Sequence, residues 1–164
     1  MGRYFLLLLL LAYSFLFVIS LPDFGPSWDS ELGEFQFGDK TLAFLKSGDP
    51  ASFDIQPRNE EAKVFISSGW GDAHPEHIWS FGPSFSALSQ ELFSTRLGWF
   101  GPVTARHVFL LPLVLLLFLK FFRFGRKYLS DDIAALAVLA LACYPRFWAH
   151  AHNNIKDIPS SVFI

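Results

Sequence analysis

The chain has one cysteine and one methionine in 164 residues, and charged side chains make up only 17% of it. With Cys143 alone, no disulfide can form within the chain and no cysteine-rich zinc site is available. Set in an apolar run, Cys143 reads as a packing residue. No basic patch is interleaved with exposed aromatic rings away from the apolar segments, which excludes a nucleic-acid footprint. The formal net charge of -2 says little, because the charges are segregated. Residues 22–100 hold twelve Asp and Glu against five Lys and Arg, while Tyr4–Leu21 holds no charge at all.

What is present is apolar and aromatic: 52% hydrophobic residues, twenty of them Phe, and a mean hydropathy of +0.35. That composition points to a membrane protein. The eighteen-residue run Tyr4–Leu21 can just cross a bilayer core of roughly 30 Å. A cleaved signal peptide is the competing reading, but the run is longer than a usual signal core, and later spans need a retained helix for consistent topology. Val103–Phe122 reads as a second span that tolerates Pro112, and Ile133–Trp148 as a third, Ala-rich and suited to close packing. Pro159–Ile164 looks like the start of a fourth. Lys120, Arg123, Arg126 and Lys127 follow the second span and form a positive-inside signal. Asp131 and Asp132 then open the next helix at its favoured acidic end. The expectation is an all-α, multi-pass integral protein of a plasma, inner or endoplasmic reticulum membrane, with an inside N-terminus. It divides into a first transmembrane helix (1–21), a large non-cytoplasmic loop with interfacial amphipathic helices (22–100), and a last part with two further spans and the start of another (101–164).

Within the loop, Trp28, Leu32 and Phe35 share one helical face beside Asp29 and Glu31, the pattern of a helix lying flat on a membrane. Thr41–Leu45 continues that helix until Gly48. Val64–Ser68 reads as a short strand. Trp70–Phe85, rich in Gly, Pro and aromatic residues, reads as a structured loop in which Phe81-Gly82-Pro83 makes a turn. Leu88–Leu97 reads as an amphipathic helix.

Three constellations could carry chemistry. Asp29 with Glu31 places carboxylates at a membrane boundary, where partial desolvation raises a general base towards its working range; a solvated acidic loop is the plainer alternative. Arg146, His150, Asn153 or Asn154, Lys156 and Asp157 gather at the end of the third span. Arg and Lys there could hold a phosphate headgroup, or could simply snorkel to the interface. Arg106, at the start of the second span, could join that anion site or serve as an anchor. The third is a metal site. His74, His77, His150 and His152 match no compact zinc spacing. A divalent ion between Asp29 and Asp157 is the better candidate, because hard cations prefer oxygen ligands. Both Asp residues follow the outer ends of spans, and neighbouring first and third spans would bring them together.

Four features resemble the N-terminal part of C-type-fold membrane glycosyltransferases, the protein-mannosyltransferase and aminoarabinose-transferase grouping (glycosyltransferase family 39-like). They are Ser27-Trp28-Asp29 followed by Phe37-Gly38, the loop Phe81-Gly82-Pro83-Ser84-Phe85, the pair Arg106-His107, and Pro145-Arg146-Phe147-Trp148-Ala149-His150 running into Asn153-Asn154-Ile155-Lys156-Asp157. The resemblance implies transfer of a hexose or pentose from a lipid-linked polyprenyl-phosphate donor to an unidentified acceptor at the outer membrane face. It implies that Asp29 is the catalytic base, with Glu31 beside it, although Ser30 separates a pair that the family usually has adjacent. It implies that Asp157 serves a metal or the donor phosphate, with Arg106, Arg146, His150 and Lys156 around the phosphate. Because the family has many more spans, it also implies that the chain is a fragment, or a truncated product not active alone. The alternative from another class is a non-enzymatic integral membrane protein or transporter piece.

Overall fold

The structure, a computed structural model, describes residues 2–25, 34–53 and 81–163. Among these it is helical, with no strand. The expected strand at Val64–Ser68 lies outside them, as do Asp29, Glu31, His74 and His77. Contacts divide the chain into two compact units, residues 1–25 with 107–164, and residues 26–106.

The first unit is built on α1 (Gly2–Ser20), α5 (Leu110–Gly125), α6 (Asp131–Ala142), α7 (Pro145–Asn153) and α8 (Asp157–Phe163). Two segments are long and apolar enough to cross a membrane, Gly2–Asp23 and Pro102–Gly125. The second combines the short α4 (Pro102–His107) with α5. A third would be α6 and α7 taken together, but these meet at a 68° bend, so the expected continuous helix Ile133–Trp148 is broken. The cause is local. Pro145 has no N–H to bond back into α6, and it forces Tyr144 into an extended conformation (ψ 116°). Pro112 acts similarly but more mildly: the chain turns at Val108–Phe109 and α5 restarts with the proline in its first turn.

The core of this unit is one stripe per helix. Leu6, Tyr13 and Phe17 of α1, Leu110, Val114, Phe118 and Phe122 of α5, and Ala134, Ala135 and Val138 of α6 are all buried. Outward residues of α1 such as Tyr4, Leu8 and Phe15 are large, apolar and exposed, the surface a lipid-facing helix presents. α1 packs along α6, so the first and third apolar segments are neighbours, as the sequence led us to expect. Both run the same way. At one end Arg3 Nε bonds Asp131 Oδ2 at 3.1 Å, and a Cβ on Gly2 would lie 2.3 Å from the Asp131 carbonyl oxygen, so only glycine permits that approach. At the other end Ser20 Oγ lies 3.0 Å from His152 Nε2. Ser130 caps α6 by accepting from the Ile133 N–H, with Asp131 and Asp132 in the first turn as expected.

In the second unit, α2 (Phe35–Ser47) packs on α3 (Phe81–Gln90). α2 stops where expected: Gly48 takes a left-handed conformation (φ 70°) and its N–H bonds the Phe44 carbonyl at 2.7 Å. Phe81-Gly82-Pro83, expected as a turn, is instead the first turn of α3. Proline is tolerated there because the N–H it lacks would have no partner within the helix. The two helices touch at their small residues. A Cβ on Gly38 would fall 2.1 Å from the Pro83 carbonyl oxygen. Two separate sequence signals, Phe37-Gly38 and Phe81-Gly82-Pro83, are thus one contact. α3 then widens into a π-helical segment, Glu91–Arg96, and the Leu97 N–H bonds the Leu92 carbonyl five residues back at 3.1 Å.

Candidate functional site

In the first unit the polar residues expected at the end of the third span form a connected knot around Asn154. α7 ends at Asn153 and the chain turns at Asn154, so the regular row expected from Arg146 to Asp157 does not continue as a single helix. The Asn154 side-chain oxygen accepts from the backbone N–H groups of Asp157 (2.7 Å) and Lys156 (3.2 Å). These two bonds fix which way the amide points. Its NH2 therefore donates to Asp157 Oδ2 at 2.8 Å and to His150 Nδ1 at 2.9 Å. With Nδ1 accepting, a neutral His150 carries its proton on Nε2 and can donate outward. Asp157 is exposed and sits in the first turn of α8, where its charge suits the helix dipole. Arg146 is exposed one helical turn before the half-buried His150 on the same face of α7, and Lys156 is exposed beside Asp157.

His152, grouped with His150 by sequence, has a different environment. It is fully buried. Its ring is stacked between Phe17 (centroids 4.1 Å apart) and Phe24 (4.3 Å), with Trp148 at 4.5 Å. Nδ1 donates to the Trp148 carbonyl at 2.7 Å and Nε2 meets Ser20 Oγ. It pins the end of α7 to the end of α1.

Among the described residues, no three side chains of metal-ligating type come together. The NH2 of Asn154, a donor, faces both His150 Nδ1 and Asp157 Oδ2, so those atoms are turned to an amide rather than to a common cation. Asp29, the other proposed ligand, lies outside the described residues.

In the second unit, Arg106 is held within the protein. Its side chain is only 3% exposed, and Nη2 donates to both carboxylate oxygens of Asp39 at 2.6 and 2.8 Å. Nη1 reaches the Phe35 carbonyl at 3.3 Å, and the guanidinium lies over the Phe35 ring. This pair spans 67 positions and has no local signal in the sequence. Beside it, Lys46 of α2 and Arg96 both bond Glu91, the latter at 2.8 Å. The hydrogen bonds from Lys46, then Arg96, hold the Glu91 carboxyl below the usual carboxylate range.

Compared with family models, with curated proteins and with solved structures, the chain matches none.

Proposed function

We propose that the chain is part of a membrane glycosyltransferase that moves a sugar from a polyprenyl-phosphate donor to an acceptor at the non-cytoplasmic membrane face. The observation that supports this reading best is the hydrogen-bonded row Asp157–Asn154–His150, with Arg146 and Lys156 beside it, at the break between short helices next to apolar spans. Ionisable groups gathered at such a place are costly unless they serve a polar substrate. In this scheme Asp29 takes the proton of the acceptor hydroxyl. That oxygen forms the new bond to the anomeric carbon as the bond to phosphate breaks, and direct displacement inverts the carbon. His150 Nε2–H, Arg146 and Lys156 steady the charge that builds on the departing phosphate. Asp157 keeps Asn154 in place, and through it the orientation of His150.

The test uses membranes that contain the protein and a radiolabelled polyprenyl-phosphate sugar. Transfer should exceed that of membranes lacking the protein. Asp29→Asn should reduce it about 100-fold or more, the usual contribution of a general base. His150→Ala should cost roughly 100-fold or more, as the loss of one charge-stabilising donor does. Absence of transfer, or full rates in both variants, refutes the reading.

A further inference from the structure

Positive charge gathers at the end of the first unit where α5 stops and α1 and α6 begin. Arg3 of α1, Arg123 in the last turn of α5, and Arg126 and Lys127 just beyond it are all exposed. The carboxylates that meet them are those of Asp131 and Asp132 at the start of α6, so the patch stays net positive. Asp131 also shapes it. Its two oxygens take one guanidinium each, Arg3 at 3.1 Å on Oδ2 and Arg126 on Oδ1, and both arginines donate through Nε. An arginine carries five N–H groups in a fixed fork. Among the described residues, those on the Nη atoms of Arg3 and Arg126 have no acceptor.

Arg123 has no hydrogen bond or ion pair among the described residues, and Lys127 meets only the Phe124 ring, 6.0 Å from its centroid. Helical bonding carries on past α5, with the Arg126 N–H on the Phe122 carbonyl and the Leu129 N–H on the Gly125 carbonyl. Arg123 and Lys127, four residues apart, therefore come to one side. Lys120 is turned to the Val162 carbonyl and takes no part.

The apolar residues before these cations select among anions. Leu116 and Leu119 lie seven and four residues before Arg123, on the same face of α5, and both are exposed. One stripe of the helix thus runs from apolar to cationic, with about 10 Å of helix between Leu116 and Arg123. A soluble phosphate would use only the cationic half of that stripe. A phospholipid uses both, its acyl chain along the leucines and its headgroup at the end of the helix.

We propose that this end of the first unit binds an anionic phospholipid. Arg123 and Lys127 hold the phosphate, Arg126 flanks it, and an acyl chain lies along Leu116 and Leu119. Asp131 positions Arg126 and Arg3 by their Nε atoms and leaves their Nη groups to the headgroup. The inference stands on the first unit lying in a bilayer and does not depend on sugar transfer.

Native mass spectrometry of the 164-residue protein in a non-ionic detergent tests it, with titration by phosphatidylglycerol or by phosphatidylcholine of the same acyl chains. Phosphatidylglycerol should bind at least about tenfold more tightly, because two basic side chains without partners add to its attraction. Arg123→Gln and Lys127→Gln should each weaken that binding about fivefold, the usual share of one basic side chain at an anionic surface. Both residues are exposed and anchor no other side chain, and thermal melts check that the variants are folded. Lys46→Gln, which removes a cation from the second unit, should leave lipid binding unchanged. Glycerol phosphate, a headgroup without chains, should not compete at millimolar concentration. Equal binding of the two lipids, wild-type affinity in both folded variants, an equal loss in Lys46→Gln, or displacement by glycerol phosphate overturns the proposal.

Discussion

Single residues here are defined by whom they hold. From the sequence Arg106 looked like a contributor to an anion site, and Asn154 like one member of the polar cluster at the end of the third span. In the structure Arg106 grips Asp39 and Phe35, while Asn154 organises His150, Lys156 and Asp157. The residue types were legible, and so was the cluster at the end of the third apolar segment, because its members are close in sequence. Pairs such as Asp39–Arg106 and Lys46–Glu91 were not, since nothing local marks a partner 67 or 45 positions away. Glu91 carries a pH prediction. Its carboxyl titrates lower when folded than when unfolded, so its pairing stabilises the protein fully above the unfolded value of about 4.3. That stability is lost as pH falls through the lower folded value. Thermal melts of wild type and Glu91→Gln should therefore differ at pH 7, and the gap should close in the acid range below about pH 4. A gap independent of pH would show that the ion pairs contribute nothing.

At the scale of the helix, apolar runs and stop signals read well. α1, the end of α2 at Gly48 and the start of α6 at Ser130 follow from composition and capping chemistry. Three features read poorly. The expected span Ile133–Trp148 ran through Pro145, yet that proline breaks it, because it removes a donor and restricts its neighbour together. Phe81-Gly82-Pro83 was taken as a turn, because Gly and Pro punctuate loops more often than they open helices. The π-helix has no sequence signature. The Gly38–Pro83 contact makes the packing of α2 on α3 testable. Gly38→Ala forces a methyl against backbone, not against a side chain that can move, so it should cost about 1–3 kcal/mol as overpacking does. A lowered melting temperature checks this. Gly25→Ala, where nothing lies within 4 Å, should be silent by comparison. Equal melting temperatures would mean the helices do not cross at Gly38.

At the scale of the whole molecule, the first unit has two unlike ends. Arg3, Arg126 and Asp131 meet at one, and Ser20, Phe24 and His152 at the other. The topology inferred from sequence puts the basic end in the cytoplasm and residues 22–100 outside. In a Cys143→Ala background, Asp49→Cys should react with a membrane-impermeant maleimide in intact cells, and Lys127→Cys only after permeabilisation. The reverse pattern inverts the topology and places the proposed donor site on the wrong face.

The break at Pro145 bears on how the protein enters a bilayer. α6 has twelve residues, about 18 Å of helix, well short of a core roughly 30 Å thick. A ribosome delivering this chain would therefore hand the membrane two self-sufficient helices, α1 and the α4–α5 segment, and then one that cannot settle alone. The stretch 131–153 would wait for a groove: the free face of α1, where Gly2 admits the start of α6 and the rings of Phe17 and Phe24 close around His152 at the far end. Assembly would then be sequential, with α1 serving as the template for α6 and α7.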